Sequence, residues 1–237
     1  MHELSLSRRP YYMNGVQMDF LLLLQESARI HGHLCPGQVL GVRMSLLGLG
    51  EIGISDPIGK DKRNIMVFVE IDRCATDAVR TVTGCSLGHR TMKFMDYGKM
   101  AVSFLNLSTG YSVRIVAREE PRRTARDYFP EIEDKFAAQR EAYKIMPDEE
   151  LFDVREVTIN VKPEDMPGRP LSRVQCEACG EHVQDARQVY RQGKTLCKSC
   201  ADTGYYEPAR RPYFSPALMR FPRHDLGHGH QVDLTAP

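Results

Sequence analysis

Cys176-Glu-Ala-Cys179 and Cys197-Lys-Ser-Cys200 are two C-x2-C knuckles with seventeen residues between them, and no other feature of the chain limits its fold as tightly. Each knuckle presents two sulfurs from one tight turn, so a pair of knuckles can close a tetrahedron of thiolates around one ion. Two independent redox pairs would be the competing reading, but redox motifs rarely come in twos at this spacing. The expectation is a zinc ribbon over residues 171–208, with structural zinc on Cys176, Cys179, Cys197 and Cys200. Between the knuckles, residues 187–190 and 194–196 flank Gln192-Gly193, the signal of a hairpin such as ribbons use.

A ribbon of this size leaves most of the 237 residues to a larger domain. Residues 162–170 hold three prolines and a glycine with little apolar content, so they read as the linker between a domain over residues 14–165 and the ribbon. Residues 209–237, rich in Pro, Arg and His, show no periodicity and read as a tail. Within it His224, His228 and His230 are spaced as a metal-binding arm would be, although scattered tail histidines are usually solvated. Lys plus Arg number 32 against 31 Asp plus Glu, a formal charge of +1, which offers no overall field for nucleic acid or an anionic membrane. Residues 171–210 are equally balanced, six cations against five anions, which argues against a phosphate-tracking ribbon. The start of the chain lacks the pattern of a secretion signal, and the longest apolar run, residues 20–24, is far short of the roughly 20 needed to span a bilayer. A cytoplasmic protein with reduced, metal-available cysteines is expected.

The larger domain reads as α+β, a layered helix and sheet structure. Phe20, Leu23, Leu24, Ser27 and Ile30 fall on one helical face over residues 19–30, with Leu21, Leu22 and Ala28 widening it until nearly all is buried. Gly32 ends that helix and Pro36 starts another, with Cys35 at the N-cap and Gly48 as the C-cap. Strands are expected over residues 64–71, 91–95, 100–106, 111–117 and 156–161, and helices over 74–83, closed by Gly84, and over 129–145.

Three cysteines remain: Cys35, Cys74 and Cys85. The segment His31-Gly-His-Leu-Cys-Pro-Gly37 places two imidazoles and a thiol at a helix start, where free amides and the positive end of the helix dipole favour the thiolate that binds metal. Cys74 also opens a helix, and the helix length sets Cys85 at its other end, about 15 Å away at 1.5 Å per residue. The two are therefore not expected on one ion. Spacing alone does not settle which of them meets His33 and Cys35; a cluster near Cys74 is favoured, with Asp72 or Asp77 orienting a ligating histidine. His31 either lines the pocket or caps it, and His89 is either a fourth ligand or a loop residue. A lone cysteine is as readily a small buried apolar residue, Cys85 most of all.

Taken together, His31-Gly-His-Leu-Cys-Pro-Gly37 with Gly41-Val-Arg-Met44, residues 69–77 (Val-Glu-Ile-Asp-Arg-Cys-Ala-Thr-Asp), Thr83-Gly-Cys-Ser-Leu-Gly88 and Asp96-Tyr-Gly-Lys99 resemble the FmdE family, named after a component of formylmethanofuran dehydrogenase. The resemblance covers about residues 19–161. It implies an α+β domain, often dimeric, with a second zinc or other transition metal held by His33 and Cys35, with Cys74 and Cys85 as accessory thiols and His31 and Asp77 in support. The Gly88-His89-Arg90 loop departs from the family pattern, and the pocket mouth is expected to differ accordingly. The implied function is a homodimeric metal-binding accessory that handles a metal, a sulfur atom or a cofactor for a molybdenum- or tungsten-dependent oxidoreductase of formylmethanofuran or formate type. Its open site would be lined by Cys35 near Tyr97 and Lys99. Two other classes compete: a metal-dependent enzyme with an open His/Cys position, for which the sequence offers only Glu70 or Asp77 as a base, and a zinc-ribbon regulator that contacts nucleic acid or polymerase.

Overall fold

The computed structural model of the protein describes residues 11–13, 16–202 and 204–206, so the His224, His228 and His230 arm and the tail expected over 209–237 lie outside the described residues. The chain divides into two compact units between Leu171 and Ser172.

The first unit opens with a short hairpin, β1 (Tyr11–Met13) and β2 (Val16–Met18), followed by α1 (Phe20–His31) and α2 (Pro36–Glu51). Asp19 caps α1 by accepting from the Leu22 amide at 2.8 Å, and Gly32 closes it in the left-handed conformation, φ 95°. Phe20, Leu23, Leu24 and Ser27 are buried as their spacing requires, but Leu21 and Leu22 are exposed and Ile30 is 48% exposed, so the helix is one-sided rather than nearly enclosed. Helix α2 starts at Pro36 with Cys35 as N-cap, but runs past Gly48. That glycine serves packing instead: a Cβ there would lie 2.3 Å from the Phe104 ring, so only glycine lets α2 settle on the sheet.

Next come β3 (Ile65–Val69), α3 (Cys74–Thr83), β4 (Met92–Phe94), β5 (Ala101–Asn106) and β6 (Ser112–Ala117), then α4 (Pro121–Tyr128), α5 (Lys135–Ile145), α6 (Asp148–Leu151) and β7 (Phe152–Glu156). The sheet order is β4-β3-β5-β6-β7, with β3 and β4 parallel across the α3 crossover and the other pairs antiparallel. Val67 sits opposite Phe104 and Val102 opposite Ile115 in the register, and β5 is buried along its whole length. Pro130 divides the long helix expected over 129–145: α5 begins only at Lys135, and the separate α4 precedes the break. The last strand likewise begins at Phe152 and ends at Glu156, earlier than the alternation over 156–161 suggests. Buried Arg43 of α2 donates to the carbonyl oxygens of Tyr143 (2.9 Å) and Met146 at the end of α5 and pairs with Asp148 at 2.5 Å, which fastens α5 to the core. The proline-rich stretch after residue 161 contains a 3-10 turn, Pro163–Asp165, and is tethered by Arg90, which donates to the Glu164 and Met166 carbonyls. No helix of the described residues is long and apolar enough to cross a membrane.

The second unit consists of two hairpins, β8 (Arg173–Gln175) with β9 (His182–Gln184) and β10 (Val189–Arg191) with β11 (Lys194–Leu196), followed by α7 (Lys198–Ala201). Gln192 and Gly193 both have positive φ, 52° and 75°, which is the two-residue turn that matches the twist of its strands.

Candidate metal centre

Two groups of metal-ligating side chains stand out among the described residues, one in each unit. In the second unit the sulfurs of Cys176, Cys179, Cys197 and Cys200 all lie within 4.8 Å of one another, and those of Cys179 and Cys197 are 3.9 Å apart. A tetrahedral ion with metal–sulfur bonds of about 2.3 Å spaces its sulfurs about 3.8 Å apart, so the donor set fits zinc. The electrostatics agree. Hydrogen bonds from the Cys179 and Cys197 backbone pull the Cys176 thiol down to about 6, whereas the neighbouring Cys197 and Cys179 thiols push Cys200 up to about 12. Four thiols this close cannot all ionise on their own, and a divalent cation removes that conflict.

In the first unit, donor atoms of His31, Cys35 and Cys74 likewise lie within 4.8 Å of one another. They come from three helix ends: the last residue of α1, the N-cap of α2 and the first residue of α3. Close helix packing brings them together. A Cβ on Gly41 would lie 2.7 Å from the Ala75 carbonyl oxygen, and one on Gly37 only 3.1 Å from the Cys74 Cβ, so these two glycines let α2 approach the start of α3. Buried Gln38 then fixes the thiol-bearing residue: its Nε2 donates to the Cys74 carbonyl at 2.6 Å, and its Oε1 accepts from Ser27 of α1.

The imidazole is oriented by a carboxylate. His31 Nδ1 lies 2.8 Å from Asp77 Oδ2, one turn into α3, which makes Nδ1 the protonated nitrogen. His31 Nε2 is buried and has no hydrogen-bond partner. A buried ring nitrogen left as a bare acceptor beside two thiols, with its other nitrogen on a carboxylate, is the arrangement of a metal-bound histidine. Burial raises the Cys74 thiol above its ordinary value, and the adjacent Cys35 sulfur adds to the shift; a cation between them would reverse both effects. Three protein donors fill three corners of a tetrahedron and leave the fourth to water or a ligand.

The remaining candidates lie elsewhere. His33 is exposed, its ring centroid 4.7 Å from that of His31 in a tilted contact, and it is not among the clustered donors. The helical stripe distinguishes the two histidines, because His31 follows buried Ser27 by four residues. Cys85 is 1% exposed in the core at the far end of α3, and burial pushes its thiol up to about 11. Glu70 is also withdrawn from any proton-transfer role: it is 5% exposed and accepts from Arg114 Nε and Nη2, each at 2.6 Å. Tyr97 is exposed, with Lys99 Nζ 5.8 Å from its ring centroid, and neither belongs to the donor group. The Gln38–Ser27 support left no trace in the pattern of metal-ligand residue types.

Residues 30–163 match the family described as "FmdE, Molybdenum formylmethanofuran dehydrogenase operon". The chain belongs to the FmdE family. In this FmdE-family chain, residues 169–205 further match the prokaryotic dksA/traR C4-type zinc finger. The chain is similar to a protein of Archaeoglobus fulgidus named "Probable S-adenosyl-L-methionine-binding protein", at 29% identity over 218 residues that cover 80% of this chain and 55% of the other. It thus spans about half the length of the curated relative it matches. The crystal structure of an FmdE-like protein of tungsten formylmethanofuran dehydrogenase type from Syntrophus aciditrophicus has the same fold, with a TM-score of 0.53 and 22% identity over 84% of this chain and 99% of that one.

Proposed function

We propose that this FmdE-family protein is a metal-binding accessory to a molybdenum- or tungsten-dependent oxidoreductase of formylmethanofuran or formate type, with His31, Cys35 and Cys74 holding an exchangeable transition metal and the ribbon holding one structural zinc. The observation that carries this reading is the partnerless, buried Nε2 of His31 beside the Cys35 and Cys74 sulfurs. When bound, the metal supplies a Lewis-acidic open position. The chain's own residues orient the donors: Asp77 sets the imidazole and Gln38 sets Cys74. A hydrolytic enzyme would also need a free base near the metal. Glu70 is paired with Arg114 and Asp77 with His31, which favours metal or cofactor handling over turnover. A second copy of the chain fits the exposed apolar residues Leu21, Leu22 and Ile30 of α1, in keeping with a homodimer.

The test joins composition to physiology. Full-length protein purified in reducing buffer should carry metal at both groups, and the Cys35→Ser/Cys74→Ser pair should lose only the first-unit equivalent. Deleting the gene should lower molybdenum- or tungsten-dependent formate or formylmethanofuran oxidation, with rescue by wild type and not by Cys35→Ser. Robust hydrolysis of formyl, ester or amide substrates that Cys35→Ala abolishes, with normal oxidoreductase activity in the deletion strain, would replace this reading with a metallohydrolase.

A further inference from the structure

Helices α4 and α5 enclose a cavity of about 310 Å³ lined by Arg122, Arg123, Arg126 and Lys135, with Ala125 as the one apolar residue. No carboxylate lines it. Packing gives little reason for such a helix: of the eight residues of α4 only Pro121 and Ala125 are buried, and Arg122 and Arg126, four apart, repel one another on one face. Yet the walls are pinned. Buried Gln139 of α5 donates to the Arg122 carbonyl at 3.0 Å, and Arg126 Nη2 donates to the Glu133 carbonyl at 3.0 Å. Arg122 also meets Glu119 at 3.2 Å in an exposed ion pair. Arg123 and Lys135 form no side-chain hydrogen bond or ion pair among the described residues. A fixed cleft of one charge sign concentrates its counterion, and arginine forks suit phosphate oxygens.

We propose that this cleft is a binding site for a compact diphosphate group, whether inorganic pyrophosphate or the diphosphate of a nucleotide. A single carboxylate would leave most of the four cations unmatched, whereas a diphosphate carries several charges in a volume that 310 Å³ admits. The site uses none of the metal-binding residues, and its test is independent of the metal reading.

Full-length protein at low salt is titrated calorimetrically with pyrophosphate, ADP, AMP and a single-stranded oligonucleotide. Pyrophosphate or ADP should bind more tightly than AMP, and weaken as salt rises. Arg123→Ala with Lys135→Ala should weaken binding roughly tenfold, and the exposed Arg123→Glu/Lys135→Glu pair should abolish it. Two controls should bind like wild type: Lys62→Ala/Arg63→Ala, which alters a separate cavity that Cys85 also lines, and Cys35→Ser, which excludes capture of pyrophosphate by the metal. Tighter binding of ADP than of pyrophosphate identifies a nucleotide, and the reverse identifies the inorganic ion. No heat or shift up to ~10 mM ligand, equal affinity in the Arg123/Lys135 variants, loss in Cys35→Ser, or preference for the oligonucleotide would overturn the proposal.

Discussion

Replacing Asp77 by Asn tests the first-unit centre at its weakest-looking contact. The Asp77 side chain is half exposed and touches no proposed metal donor except His31, whose Nδ1 it meets at 2.8 Å. The substitution keeps shape and an accepting oxygen but removes the charge. When His31 Nε2 carries a cation, the imidazole shares its positive charge, and the carboxylate stabilises that state. At 2.8 Å a full charge pair is worth about 1.5 kcal/mol at a water-like dielectric and about 3 kcal/mol at half that value. Half-exposure keeps the effect inside this window, so metal affinity should fall about 10- to 100-fold, the range usual for such outer partners. Competition with a chromogenic chelator, read beside the cobalt absorption of the first-unit site, measures it directly. Far-UV circular dichroism and ribbon zinc should stay unchanged. Unaltered first-unit affinity in a folded Asp77→Asn protein would refute the argument that this carboxylate orients a ligating histidine.

Cys179→Ser should cost the ribbon its zinc while first-unit metal remains, as elemental analysis on each variant will show; unchanged zinc per chain would remove Cys179 from the site. Gly48→Ala should destabilise the first unit by about 2 kcal/mol in urea melts, because the new methyl meets the Phe104 ring despite alanine's better helix propensity. The buried Cys85 thiol sits at about 11 against an ordinary 9; as the folded value is the higher, its contribution is complete below pH ~9 and lost as pH rises towards ~11, about 2–3 kcal/mol in all. Cys85→Ala should flatten that segment of the stability–pH curve, and an identical slope in both proteins would contradict it.

Where local rules decide, the sequence was readable. Proline at the first position and glycine past the last placed the start of α2 at Pro36 and bounded α3 at Cys74 and Thr83, and the two knuckles located the four ribbon sulfurs. Where tertiary contact decides, it was not. Gly48 reads as a helix stop, and only the Phe104 ring explains a glycine in mid-helix. The choice of His31 over His33 depends on Asp77, forty-six positions away, and the pairing of Cys35 with Cys74 depends on how closely Gly41 lets two helices approach. Gln38 could be recognised as a support only after its carbonyl partner on Cys74 was in place.

The origin of the three donors on separate helix ends bears on how firmly an ion is held. A doubly charged ion with two thiolates and a neutral imidazole forms a site with no net charge, whereas four thiolates leave the ribbon with two negative charges. Cys35 and Cys74 also stand at the positive ends of α2 and α3, which stabilise bare thiolates and so favour the empty centre more than an isolated pair of cysteines would. One chain thereby carries two metals on unequal terms: one whose departure would leave four crowded sulfurs to share protons, and one whose departure leaves anions already accommodated by helix ends.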